Sequence, residues 1–269
     1  MKKKILYLII GLILGLIAGN QIIGCSGEES SDLPSFRGWK YAIEVPDSKT
    51  DKIVISHTGF TVSYNPDTNC PSWVAWNLAK EEVELKNVPR SDKFLPDPDL
   101  LPECRVVTSD YTGSGYDRGH MCPAADMRWS EDAMRDCFYM SNICPQIPVL
   151  NRQWWEHVEE ACRRWAVSEG SVYICCGPIY DPDLVPVYIK KSHSIRVPDG
   201  FFKVVLSLRP GHEKAIGFIY SNTDARQPME DVAMTVDNVE EAVGMDFFYY
   251  LPDSLESRLE AEYNLNSWN

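Results

Sequence analysis

Basic residues are scarce in this chain. Its 269 residues include 26 Lys and Arg against 39 Asp and Glu, a formal net charge of -13 and a sequence pI near 4.8. Phosphate-binding proteins normally carry a basic footprint. The balance therefore excludes a general electrostatic attraction to nucleic acid, and any such attraction must be local. Long apolar runs are missing too: the run from Ile5 to Gly19 is cut by Asn20 and Gln21, short of the roughly 20 residues a spanning helix needs. There is no internal repeat, no low-complexity tract after residue 36, and no paired C-x-x-C of the common zinc folds. What remains is ordinary globular material, 44% hydrophobic and 24% charged. That excludes collagen-like, coiled-coil and wholly disordered chains, and it is enough for a large core.

The first 24 residues, MKKKILYLIIGLILGLIAGNQIIG, join a basic start to a short apolar stretch, the pattern of an export signal. Cys25 after Ile22-Ile23-Gly24 resembles the lipidated cysteine of a lipoprotein signal; an uncleaved N-terminal anchor is the alternative. Either way the expectation is an exported chain; the lipoprotein reading, which is preferred, has it membrane-anchored by its N-terminal lipid and facing the periplasm or cell exterior. Residues 1–24 read as the signal, 25–45 as a polar, acidic tether, and 46–265 as one domain without a composition break. Without residues 1–24 the balance becomes 23 basic against 39 acidic residues, or -16. Eight cysteines follow Cys25, an even number that predicts at least one disulfide in an exported chain, against buried free thiols.

Residues 53–64 are β-branched and aromatic and end at Asn65-Pro66-Asp67, which predicts a strand pair. Residues 73–83 read as a short helix, 94–104 as loop and 131–137 as a short helix. The strongest helical pattern covers 151–169, with Trp154, Val158, Cys162 and Trp165 on one face. Strands are predicted at 171–176, 202–208 and 214–220, and helical character resumes from Val239 and again from Leu255. Strands and helices without strict alternation indicate an α+β fold.

The chemistry concentrates in two segments. In SDYTGSGYDRGHMCPAADM, residues 109–127, Asp117, Arg118, Gly119 and His120 are consecutive. A histidine can take a proton at neutral pH, an arginine can hold a phosphate by paired N–H donors, and glycine lets the backbone turn so that both face one place. Read alone, a histidine beside an aspartate is more often a structural pair. In MSNICPQIPVLNRQWWEHVEE, residues 140–160, Asn142 and Gln146 flank Pro145, and Asn151 starts the strong helix. Glu159 lies eight residues on, two turns along and rotated by about 80°, so both can face one site. An amide carbonyl and a carboxylate acting through water suit Mg²⁺. The bland accounts are an N-cap for Asn151 and a solvated helix face for Glu159. Cys122, Cys137 and Cys144 around His120 also allow a structural zinc reading, which would use up the base.

Taken together, Tyr116-Asp117-Arg118-Gly119-His120-Met121-Cys122-Pro123-Ala124, Ser141-Asn142-Ile143-Cys144-Pro145-Gln146 and Leu150-Asn151 with Glu159 resemble the DNA/RNA non-specific endonuclease family. These are the sugar-non-specific ββα-metal nucleases, endonuclease G among them. The likeness extends to residues 60–74, to Val197-Pro198 before Phe201-Phe202-Lys203-Val204, and to 244–256, so it covers about 53–260. The resemblance implies a ββα-metal (His-Me finger) fold with a central mixed or antiparallel sheet flanked by helices. It implies His120 as general base, Asn151 as the direct ligand to one Mg²⁺, and Glu159 holding one of its waters. Mn²⁺ or Ca²⁺ would be the substitute ions. Arg118 would steady the phosphate, and Asp117, Asn142 and Gln146 would support substrate binding. DNA and RNA would be the substrates, cut without sequence preference to leave 5′-phosphate ends. The family also places an upstream arginine near the phosphate, for which Arg90 and Arg105 are the candidates. A non-catalytic binding lipoprotein on this fold, or a phosphodiesterase for a smaller substrate, are the competing readings.

Overall fold

Runs of apolar, β-branched and aromatic residues form the middle of the protein, because a strand covered on both faces needs apolar side chains on both. The computed structural model describes residues 42–49 and 51–268; the expected signal, Cys25 and most of the tether lie outside the described residues. The chain begins with strands β1 (Asp47–Ser48), β2 (Ile53–His57), β3 (Phe60–Asn65) and β4 (Cys70–Ala79) and helix α1 (Lys80–Glu84). Next come β5 (Asp117–His120), α2 (Glu131–Asp136), β6 (Ile143–Gln146) and α3 (Trp155–Glu169). Then follow β7 (Ser171–Ile179), β8 (Tyr188–Lys190), β9 (Ser194–Arg196), β10 (Gly200–Ser207) and β11 (Lys214–Ser221). The chain closes with α4 (Met229–Val232), β12 (Ala233–Met234), α5 (Val236–Val243), β13 (Met245–Asp246) and α6 (Asp253–Glu260).

Seven strands make one sheet in the order β12-β11-β10-β7-β4-β3-β2, and every neighbouring pair is antiparallel. The α+β expectation is met, with an antiparallel rather than a mixed sheet. Every residue of β10 is buried, and β7 is buried except at its two ends. Successive side chains of a strand face opposite ways. Phe201 meets Trp155 of α3 while Phe202 meets Phe247, so the sheet is covered on both faces. Lys203, two residues from Phe201, also lies on the α3 face. Its buried ammonium sits 4.5 Å from the Trp155 ring and 5.0 Å from the Trp76 ring.

Three readings are corrected. Residues 73–83 are not a helix; they are most of the central strand β4, followed by only five residues of α1. Trp73, Val74, Ala75, Trp76 and Leu78 are all buried there. A short run apolar on both faces has no distinguishing period, so its helical spacing was coincidental. The expected disulfide is also absent: the eight cysteines from Cys70 to Cys176 are free thiols, seven of them buried. The zinc reading fails as well, since no group of metal ligands among the described residues unites Cys122, Cys137 and Cys144.

Candidate active site

β5 and β6 stand apart from the main sheet as a two-stranded antiparallel ribbon, pairing Asp117 with Gln146 and His120 with Ile143. Pro145 lacks an N–H, which a two-stranded ribbon tolerates because each strand has an open edge. The chain then enters α3 through a π-helical turn, Leu150–Trp154. Side-chain bonds lock ribbon and helix together. The Trp155 indole N–H donates to the His120 carbonyl at 3.3 Å. The Asn151 amide donates to Asp117 Oδ2 at 2.9 Å, and Arg152 grips both Asp117 oxygens at 2.7 Å. Glycine at 119 is required by space: a Cβ there would lie 1.9 Å from Gln146 Oε1.

His120 is enclosed by aromatic rings, with Phe94 at 5.3 Å and Phe138 edge-on at 4.8 Å. Each ring carries an arginine as well, Arg118 at 4.2 Å over Phe94 and Arg90 at 5.4 Å over Phe138. Burial, then Arg90 and Arg118, push the imidazole pKa down to about 3. The ring is therefore neutral at working pH and able to accept a proton. Its Nε2 is enclosed and lacks a hydrogen-bond partner among the described residues.

An open cleft of about 370 Å³ is lined by Arg90, Arg118, His120, Asn151, Glu156 and Glu159, among others. Because a carboxylate only accepts hydrogen bonds, the bond to Asp117 fixes the Asn151 amide with its N–H₂ towards Asp117 and its carbonyl oxygen turned away. Glu159 is half-buried; burial raises its carboxyl to about 7, with the charges of Lys203 and Arg163 working the other way. A divalent cation in the cleft would hold it ionised. The donor set, an amide carbonyl and a carboxylate, is all oxygen and fits a hard ion such as Mg²⁺.

The remaining predicted residues have other tasks. Both Asp117 oxygens are taken up within the protein, by Arg152 and Asn151. Burial disfavours its charge, yet the bonds from Arg152 and Asn151 prevail and hold its carboxyl below the ordinary value, so it orients the site instead. Asn142 is fully buried, bound to the Cys122 N–H and to the Cys122 and Cys137 carbonyls; it pins the loop after His120. Gln146 is likewise fully buried, packed on Gly119. With no exposed surface, Asn142 and Gln146 are not placed to touch a substrate, contrary to the expectation for them. Arg105 is committed to the carbonyls of Leu100 and Pro98, so Arg90 is the upstream arginine that reaches the cleft. Phe94, Phe138, Arg152 and Glu156 went unnoticed in the sequence; only the position of Arg152 beside Asn151 hinted at a role.

A profile of the DNA/RNA non-specific endonuclease family matches residues 41–254. The chain is 33% identical over 224 residues to a mitochondrial nuclease of Saccharomyces cerevisiae, covering 76% of this chain and 68% of that one. It is 32% identical over 202 residues to human mitochondrial endonuclease G, covering 71% and 68%. A crystal structure of the EndoG/EndoGI complex superposes with a TM-score of 0.69 at 30% identity, covering 74% of this chain and 86% of that chain.

Proposed function

Since the chain belongs to the DNA/RNA non-specific endonuclease family, we propose that it is a Mg²⁺-dependent endonuclease of DNA and RNA, leaving 5′-phosphate and 3′-hydroxyl ends. The observation that carries this reading is the meeting of a neutral, enclosed His120 with Arg90, Arg118, Asn151 and Glu159 in one cleft.

Water attacks the phosphorus and its proton passes to His120. Nδ1 is the accepting atom, because Nε2 is shut away from the cleft. Arg118 and Arg90 hold the non-bridging oxygens as charge builds on them; Phe94 and Phe138 place both guanidinium groups beside the base. Asn151 Oδ1 would hold the Mg²⁺ directly and Glu159 would hold one of its waters. When bound, the ion supplies Lewis-acid stabilisation of the leaving 3′ oxygen. Asp117 and Arg152 keep Asn151 turned to its task. Contacts of this kind address the phosphate and carry no base sequence. The arginines concentrate positive charge locally on a chain of -13, so binding should be modest and salt-sensitive.

Export and lipid anchoring belong to the same proposal, on the strength of the basic-apolar start and Cys25. The test is digestion of supercoiled plasmid and single-stranded RNA by the protein without residues 1–25, with Mg²⁺ or EDTA, beside His120→Ala. Both substrates should be cut, EDTA and the variant should abolish cutting, and DNA ligase should reseal the nicks. Intact substrates from a folded protein would instead favour a binding lipoprotein.

A further inference from the structure

A second group of carboxylates lies away from the cleft, where the C-terminal helices meet. Asp237 and Glu240 are three residues apart on α5 and share one side of it. Glu260 is the last residue of α6. Each offers one carboxylate oxygen, and these three lie within 4.8 Å of one another. Asp237 is exposed and Glu240 half-buried, with one Glu240 oxygen accepting the Phe247 N–H at 2.7 Å. Glu260 is only 5% exposed, and its Oε1 is enclosed without a hydrogen-bond partner among the described residues. A buried carboxylate with an unpartnered oxygen, grouped with two other carboxylates, is costly unless something positive joins them. The charges acting most on Glu260, those of Glu240, Glu256, Asp246 and Asp237, are all acidic.

We propose that Asp237, Glu240 and Glu260 form a second cation site that takes Ca²⁺ and ties α5 to α6. The ligands are all carboxylate oxygens from two helices, one exposed enough to leave room for water. Ca²⁺ accepts such irregular shells of six to eight oxygens, whereas Mg²⁺ demands a near-ideal octahedron. No residue of the cluster lines the His120 cleft, so occupancy affects stability and leaves catalysis alone.

The experiment is thermal unfolding and calorimetric titration with CaCl₂ in an Asn151→Ala protein, which lacks the ligand assigned to the catalytic ion. One Ca²⁺ should bind, and at a hundredfold excess over Kd the Tm should rise by roughly 5–10 °C. Adding Asp237→Asn should remove both responses, while Asp237→Asn alone should leave nuclease activity within about twofold. Glu260→Gln should also abolish the calcium response and, relieved of repulsion, should unfold at a higher temperature than its parent in EDTA. A Tm indifferent to calcium, or a calcium shift that survives Asp237→Asn, overturns the site. Should Glu260→Gln fail to fold, the exposed Asp237→Asn decides the matter alone.

Discussion

Acidification should destabilise the fold through His120 by a predictable amount. The imidazole lies between Phe94 and Phe138, and burial followed by Arg90 and Arg118 lowers its pKa from 6.5 to about 3. Below pH 6.5 the unfolded chain binds a proton that the folded chain refuses. The stabilisation is therefore complete above 6.5 and drains away as pH falls towards 3. At pH 5 the unfolded histidine is favoured by a factor of about 30, which corresponds to about 2 kcal/mol lost relative to pH 8. Other titrating groups contribute as well, so the quantity to measure is a difference. Urea unfolding followed by tryptophan fluorescence, in EDTA at pH 8 and pH 5, is compared for wild type and His120→Gln. The wild type should lose about 2 kcal/mol more than the variant across that interval. Equal losses in the two proteins would refute the enclosed, neutral ring.

Three further outcomes follow from the site. Arg90→Ala should lower kcat/KM by about 10²–10³ while Arg105→Ala, which removes only carbonyl contacts, stays within a few-fold in the same plasmid assay. Asp117→Asn breaks the Arg152 fork and frees the Asn151 amide to turn, so the Mg²⁺ concentration for half-maximal rate should rise about 10–100-fold. Gly119→Ala forces a Cβ into Gln146 and should cost about 1–3 kcal/mol in urea unfolding; Gln146→Ala in the same chain should recover part of it, a coupling that independent sites would not show.

How much of this was readable in advance depends on distance along the chain. The sequence by itself determined the chemistry packed into short segments: Arg118 and His120 are two residues apart, and Asn151 and Glu159 share one helix. It also carried most of the strands, because β10 and β11 are rich in the β-branched and aromatic residues that favour extended backbone. The tertiary structure decided what each segment faces. A burial pattern records that a side is covered but not by what, so β4 passed for a helix until its neighbours β3 and β7 were known. The same gap hid the arginines. Arg90 and Arg105 look alike in sequence, and only folding sends one to the cleft and the other to backbone carbonyls. Asp117 is a stronger case: beside Arg118 it reads as a substrate residue, yet Arg152, 35 positions away, claims both its oxygens. Electrostatic roles depend on separations of a few ångströms, and those are set by packing across the fold rather than by order along the chain.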